Sequence, residues 1–295
     1  MTRARQKLRT PEIKRGLKGL DPLTPTAVRD LARRHGIRPS RSLGQNFVID
    51  PNTVRRIIRL AEVQSGDSVV EVGAGLGTLT LGLADIAKHV LAIEIDRRLV
   101  LALKEVVGET LNVEVLQGDA MELDFSALLK GRPHRFISNL PYNIATPLVA
   151  GLLESTPLIT DFTIMVQREV GERLAAKPGS KTYGAVSVLV AYHCETRVLG
   201  RVPSTVFWPQ PKVESVLVGL RRRPSPVDVT CEQLMNVVRA SFAQRRKTAR
   251  NSIAAILDLP AADVAAALAE ADVEPDSRAE SLSLQEFARI ARALG

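Results

Sequence analysis

The segment Val69-Val70-Glu71-Val72-Gly73-Ala74-Gly75-Leu76-Gly77 constrains the fold of this 295-residue chain more than any other. A short β-branched run requires a strand, and three alternating glycines require a tight turn. A helical pattern over 76–87 follows. Further apolar runs at 68–73, 89–96, 112–119, 135–139, 161–167, 185–194 and 213–220 read as strands, with a second helix at 97–107. Several are apolar without alternation, as expected of strands covered on both faces. An α/β fold with an open, mostly parallel sheet is expected. The glycines either let a ligand approach the backbone or pack strand tightly against helix, and the turn alone does not decide between them.

Before the sheet, Thr24 and Pro25 start a helix with Val28, Leu31 and Ala32 on one face and Gly36 as its stop. Asp50 and Pro51 start a second, with Val54, Ile57, Ile58 and Ala61 inward and Arg55, Arg56 and Arg59 outward. Beyond Leu220, Arg221-Arg222-Arg223-Pro224-Ser225-Pro226 reads as a linker, followed by helical segments at 233–242, 263–271 and 284–294. The expected organisation is a basic, partly disordered extension over 1–37, a sheet domain over 38–223 and a small all-α domain over 224–295.

No apolar run approaches the roughly 18 to 20 residues that cross a bilayer, and the N-terminus lacks the apolar core of a signal peptide. With only Cys194 and Cys231, far apart, the expected location is a reducing cytoplasm without membrane association. Four scattered histidines give no metal-ligand spacing, so no metal is expected. The net charge of +8 is unevenly placed. Residues 1–41 hold twelve Lys or Arg against three acids, a local +9, leaving about −1 for the rest. A basic arm on a near-neutral body suits a polyanion, although a solvated tail has the same composition.

Twenty-one residues beyond Gly73, the second strand delivers Ile93-Glu94-Ile95-Asp96, where the Glu94 carboxylate can accept two hydrogen bonds from a ribose diol. Dinucleotide enzymes share that feature, but their glycines are spaced G-x-G-x-x-G, whereas these are G-x-G-x-G. Asp119, within Gly118-Asp119-Ala120, can accept from an adenine amino group, or can be simply a surface acid. The fourth strand ends in Asn139-Leu140-Pro141-Tyr142. Adenine's exocyclic amine is a poor nucleophile because its lone pair is delocalised into the ring, so methylating it requires acceptors that hold its N–H groups out of conjugation. Asn139 supplies a side-chain oxygen, and Leu140, extended before a proline, can aim its carbonyl at the same nitrogen. Tyr142 can stack on the base. No strong general base is needed, because the proton becomes acidic once the nitrogen accepts a methyl from a sulfonium. A proline-anchored strand exit with a packed tyrosine is the alternative.

Over residues 38–295 the chain resembles the KsgA-type ribosomal RNA adenine N6,N6-dimethyltransferases. The resemblance is carried by Ser42-Leu43-Gly44-Gln45-Asn46-Phe47, Glu71 to Gly77, Ile93 to Asp96, Gly118 to Ala120, Asn139 to Ile144, Pro203 to Val213 and Phe242 to Asn251. It implies a class I, Rossmann-like methyltransferase fold and S-adenosyl-L-methionine as cofactor, held by Asn46, Val48, Gly73, Gly75, Glu94, Asp119 and Asn139. Val48 stands where the family commonly has leucine. The implied catalytic residues are Asn139, Leu140, Tyr142 and Phe207, with the flipped target adenine between Tyr142 and Phe207; outside the family context, Phe207-Trp208 reads as core packing. Arg239, Arg245, Arg246, Lys247 and Arg250, at a turn between helices without an acid, suit an RNA backbone or a solvated turn. The implied substrate is two adjacent adenines in the 3′-terminal hairpin of 16S rRNA within the immature small ribosomal subunit, and a monomer is expected. Three other readings share parts of this sequence: an Erm-type 23S rRNA methyltransferase, an assembly checkpoint factor whose methylation is secondary, and an NAD-dependent oxidoreductase, which leaves Asn139 to Tyr142 unexplained.

Overall fold

A polar cap followed by proline sets the first two helices. Thr24 Oγ1 accepts from the Ala27 amide at 3.3 Å and opens α1 (Pro25–Arg34), which buries Val28, Leu31 and Ala32. After β1 (Phe47–Val48), Asp50 accepts from the Asn52 and Thr53 amides and opens α2 (Pro51–Leu60). Both helices match the sequence expectation. The structure, a computed structural model, describes residues 20–40, 44–244 and 246–295. The basic arm over 1–19, Ser42, Leu43 and Arg245 lie outside the described residues.

Strands and helices then alternate through β2 (Ser68–Val72), α3 (Thr78–Ala84), β3 (His89–Glu94), α4 (Arg97–Val107), β4 (Val113–Gln117), α5 (Phe125–Leu128), β5 (His134–Asn139) and α6 (Ala145–Ser155). Next come β6 (Ile159–Gln167), α7 (Arg168–Leu174), α8 (Ala185–His193), β7 (Cys194–Val202), β8 (Phe207–Trp208) and β9 (Ser215–Arg222). Four helices complete the chain: α9 (Cys231–Phe242), α10 (Ala249–Leu257), α11 (Ala261–Glu270) and α12 (Leu284–Ala293).

The main sheet has the order β4-β3-β2-β5-β6-β9-β7, parallel from β4 to β6, with β9 running antiparallel to both its neighbours. Val70 and Val72 pack on one face with Leu148 and Leu152 of α6, and Val69 packs on the other with Ile57 of α2 and Leu83 of α3. Burial on both sides is why these strands read as continuous apolar runs. The strand order reverses between β2 and β5, which opens a crevice at their carboxyl ends. A separate core joins α9 to α12, through Leu234, Val238, Ile253, Leu268 and Phe287, with Val188 and Leu189 of α8.

One strand expectation is corrected. Residues 185–194 form α8, opened by Gly184, whose amide donates to Ser187 Oγ at 3.1 Å. Its Val190 packs in the sheet core while Val188 and Leu189 enter the C-terminal helical core. A helix buried on two sides shows no polar stripe, so its composition mimics a buried strand. The edge position belongs instead to β7, whose Glu195, Arg197, Val198 and Arg201 are exposed and hide the strand in a polar sequence.

Candidate active site

The crevice holds a cavity of about 220 Å³ into which four strand ends and the 44–48 segment converge. Its lining includes Asn46, Val48, Gly73, Gly75, Glu94, Asp119, Asn139, Leu140 and Tyr142, residues singled out from sequence. A wider cleft of about 990 Å³ opens at the other end of the sheet, around Ser68, His89 and His134. It contains none of those residues and lies at the amino ends of the parallel strands, away from the edge where such sheets bind ligands.

Backbone geometry makes the floor. Gly73 has φ +73°, and a Cβ there would stand 3.0 Å from the Pro141 ring. Gly75 has φ +58°, and a Cβ would meet the Phe47 ring at 2.9 Å. Both positions combine left-handed backbone with close approach, so any side chain would be strained and would crowd the cavity wall.

Glu94 is nearly buried, and backbone amides hold both its oxygens: Gly75 donates to Oε2 at 2.9 Å, and Ile95 and Asp96 donate to Oε1 at 2.9 and 3.0 Å. Burial raises its pKa despite the opposing pull of those three N–H groups. The carboxylate is fixed in orientation: two amides occupy Oε1, and Oε2, which accepts one, retains a further acceptor site. Asp119 accepts the Met121 amide at 2.9 Å through Oδ1, leaving Oδ2.

At the end of β5, Asn139 Nδ2 donates to the Asn46 carbonyl at 3.0 Å. That bond assigns the amide orientation and leaves Oδ1 as an acceptor at the cavity. Leu140 is pinned by its amide donating to Met165 O at 3.1 Å. Tyr142 is half-buried, and its Oη lies 3.0 Å from Ser215 Oγ.

Phe207 is not brought to this cavity. It pairs with Val48 across the β1–β8 ladder, is 3% exposed and packs in the core with Val54 and Ile57. Adjacent strand residues point to opposite sides, so Phe207 faces inward, while Trp208 faces Phe47 with ring centroids 6.1 Å apart. Phe207 thus sits in the core beneath β1, and the aromatic residues that line the cavity are Phe47 and Tyr142. In the C-terminal helices, Arg246 and Lys247 are exposed between α9 and α10, and Arg250 is half-buried. Arg239 is paired with Glu154 and so is less available to a phosphate.

Glu71, which sequence reasoning passed over, also lines the cavity. It is fully buried, accepts from Thr80 Oγ1 at 2.6 Å, and burial pushes its pKa up to about 8. An acid inside an apolar strand was the available signal. A carboxyl whose pKa rises on folding contributes stability that is complete below about 4.5 and is lost as pH rises through about 8. Glu71→Gln is expected to flatten thermal stability across that window. Parallel melting-temperature curves for parent and variant would contradict this.

A family model described as Ribosomal RNA adenine dimethylase matches residues 37–294. A Ribosomal RNA small subunit methyltransferase A from Thermobifida fusca (strain YX) is 48% identical over 275 residues, covering 91% of this chain and 95% of that protein. One of the same name from Leifsonia xyli subsp. xyli (strain CTCB07) is 45% identical, covering 91% and 97%. Among solved structures, a dimethyladenosine transferase from Plasmodium falciparum superposes with a TM-score of 0.70 at 26% identity, covering 82% of this chain and 94% of that one. The 23S rRNA methyltransferase ErmE gives 0.64 at 29% identity, covering 84% and 99%.

Proposed function

The chain belongs to the ribosomal RNA adenine dimethylase family, and on that premise we propose that it dimethylates N6 of two adjacent adenines in the 3′-terminal hairpin of 16S rRNA. The acceptor in this reading is the immature small ribosomal subunit, and the enzyme works in the cytoplasm as a monomer. No helix among the described residues is long and apolar enough to cross a membrane.

The methyl donor is S-adenosyl-L-methionine, and the cavity fits it: side-chain-free backbone at Gly73 and Gly75, and carboxylates at Glu94 and Asp119 on neighbouring strand ends. When bound, the donor supplies an electrophilic methyl on a sulfonium. Glu94 holds the ribose diol and Asp119 the adenine amino group, while Asn46, Val48, Gly73 and Gly75 shape the cradle.

The observation that carries the reading is the orientation of Asn139. With Nδ2 committed to Asn46, Oδ1 is left to accept an N–H of the target amine, and the Leu140 carbonyl supplies the second acceptor. These two bonds keep the nitrogen lone pair out of the ring and present it to the methyl. Tyr142 stacks on the flipped base. The proton released after transfer leaves to solvent, and the pocket must then readmit a monomethylated amine.

Mass spectrometry of 16S rRNA from cells that lack their own enzyme and express this chain tests the product: N6,N6-dimethyladenine at two adjacent positions supports it, and unmodified rRNA contradicts it. The helical unit over 224–295 contributes phosphate contacts through Arg246, Lys247 and Arg250; Arg245 is proposed with them from its place in the same sequence run. Replacing Arg246 and Lys247 by alanine is expected to lower the salt slope of rRNA binding by about 2, roughly 1 per phosphate contact. An unchanged slope by filter binding across a salt series would count against that interface.

The likeness to ErmE follows from a shared catalytic unit. Relatives at 45 to 48% identity named for the small subunit favour 16S over 23S rRNA as the substrate.

A further inference from the structure

We propose that Ser215 is a positioning residue that anchors the phenol end of Tyr142 and so sets where the ring on which the target adenine stacks stands in the cavity. The inference rests on the reading of Tyr142 as the stacking surface.

Tyr142 is held at its backbone end, where the preceding Pro141 packs against the Gly73 turn. Its half-buried ring lines the cavity and belongs to none of the buried apolar clusters. The phenol end is set instead by the 3.0 Å contact between Tyr142 Oη and Ser215 Oγ. Ser215 is a firm anchor. It is 0% exposed and opens β9, where it is in register with Gln167 of β6 on one side and Val202 of β7 on the other. Two neighbouring strands therefore fix the serine backbone, and its buried hydroxyl anchors the phenol end of the tyrosine.

Stacking alone does not require the hydroxyl, since a phenylalanine ring offers the same face. Its use here is to hold the far end of the ring at one place and limit swing of the side chain about Cα–Cβ, so the base docks on a surface already in place. Burial raises the Tyr142 pKa, so the hydroxyl keeps its proton and the pair stays hydrogen-bonded at neutral pH.

The test compares Ser215→Ala, Tyr142→Phe and the double variant in steady-state methylation of small subunits, with melting temperature and cofactor affinity measured in parallel. Each single variant is expected to lower kcat roughly threefold to tenfold, the scale of one neutral hydrogen bond. Cofactor Kd and melting temperature should stay near the parent values, and the double variant should be no slower than either single one. A purely structural serine would instead move the melting temperature, and effects that multiply in the double variant would overturn the proposal. Parent-like kcat in Ser215→Ala overturns this inference alone. A parent enzyme unable to methylate adenine overturns the functional reading and this inference with it.

Discussion

Replacing Asn139 with alanine is expected to slow methyl transfer by on the order of 10²-fold, the scale seen when one preorganised polar group is deleted from an active site. The change removes Oδ1, the acceptor that localises the amine lone pair, and leaves the Asn46 carbonyl without its donor. Cofactor affinity should fall far less, because Glu94 is held by Gly75, Ile95 and Asp96 independently of Asn139. Asn139→Asp is a sharper probe. It keeps an oxygen acceptor but sets a second oxygen against Asn46 O, so the orienting bond becomes a repulsion and the rate should drop despite the retained acceptor. Single-turnover rates beside equilibrium cofactor binding separate the two effects. A rate and an affinity that fall together would mean that Asn139 serves the cradle rather than the transfer.

The second large effect concerns stability. Arg222 ends β9 with its guanidinium spread over carbonyl groups: Nε donates to Ile159 O at 2.8 Å, and Nη2 reaches Leu152 O, Leu153 O and Thr156 O at 2.9 to 3.1 Å. Three of these carbonyls close the C-terminal end of α6, where a cation also complements the helix dipole. Nη1 contacts His193 Nδ1 at 3.4 Å, and burial beside this cation pushes the His193 pKa down to about 4. Arg222→Met keeps much of the packing volume but removes the charged donor from all four carbonyls, of which Leu152 O and Thr156 O keep one backbone donor each, the Thr156 and Ile159 amides. It should cost about 3 kcal/mol or more, since hydrogen bonds from charged donors are worth roughly 1.5 to 3 kcal/mol each and several are lost. Denaturant unfolding measures this directly. A loss below about 1 kcal/mol would show that water replaces the guanidinium at the end of α6.

Much of this architecture was legible in the chain. The G-x-G-x-G turn placed β2 and α3, and the acids at Glu94 and Asp119 fell at strand ends because a parallel sheet delivers all such ends to one edge. Local caps at Thr24 and Asp50 fixed helix starts for the same reason they stabilise them. What failed depended on context. The all-apolar 185–194 run became a helix because two different cores cover it, and no local pattern records how many faces will be buried. Strand β7 escaped notice because an exposed edge tolerates Glu195, Arg197 and Arg201. Phe207 lies in a motif of the family, yet its pairing with Val48 turns the ring into the core, and that register forms only once two distant segments meet. Ser215 carried no chemical signal at all. Its significance comes from the strand register that sets its hydroxyl against Tyr142.

The most direct test of the central claim is transfer of labelled methyl from S-adenosyl-L-methionine to purified small subunits that lack the modification, run beside large subunits and free 16S rRNA. Label is expected on small subunits alone, recovered as N6,N6-dimethyladenine and approaching four methyls per particle, two on each adenine. Label on large-subunit RNA, or none on small subunits despite cofactor binding, would contradict it.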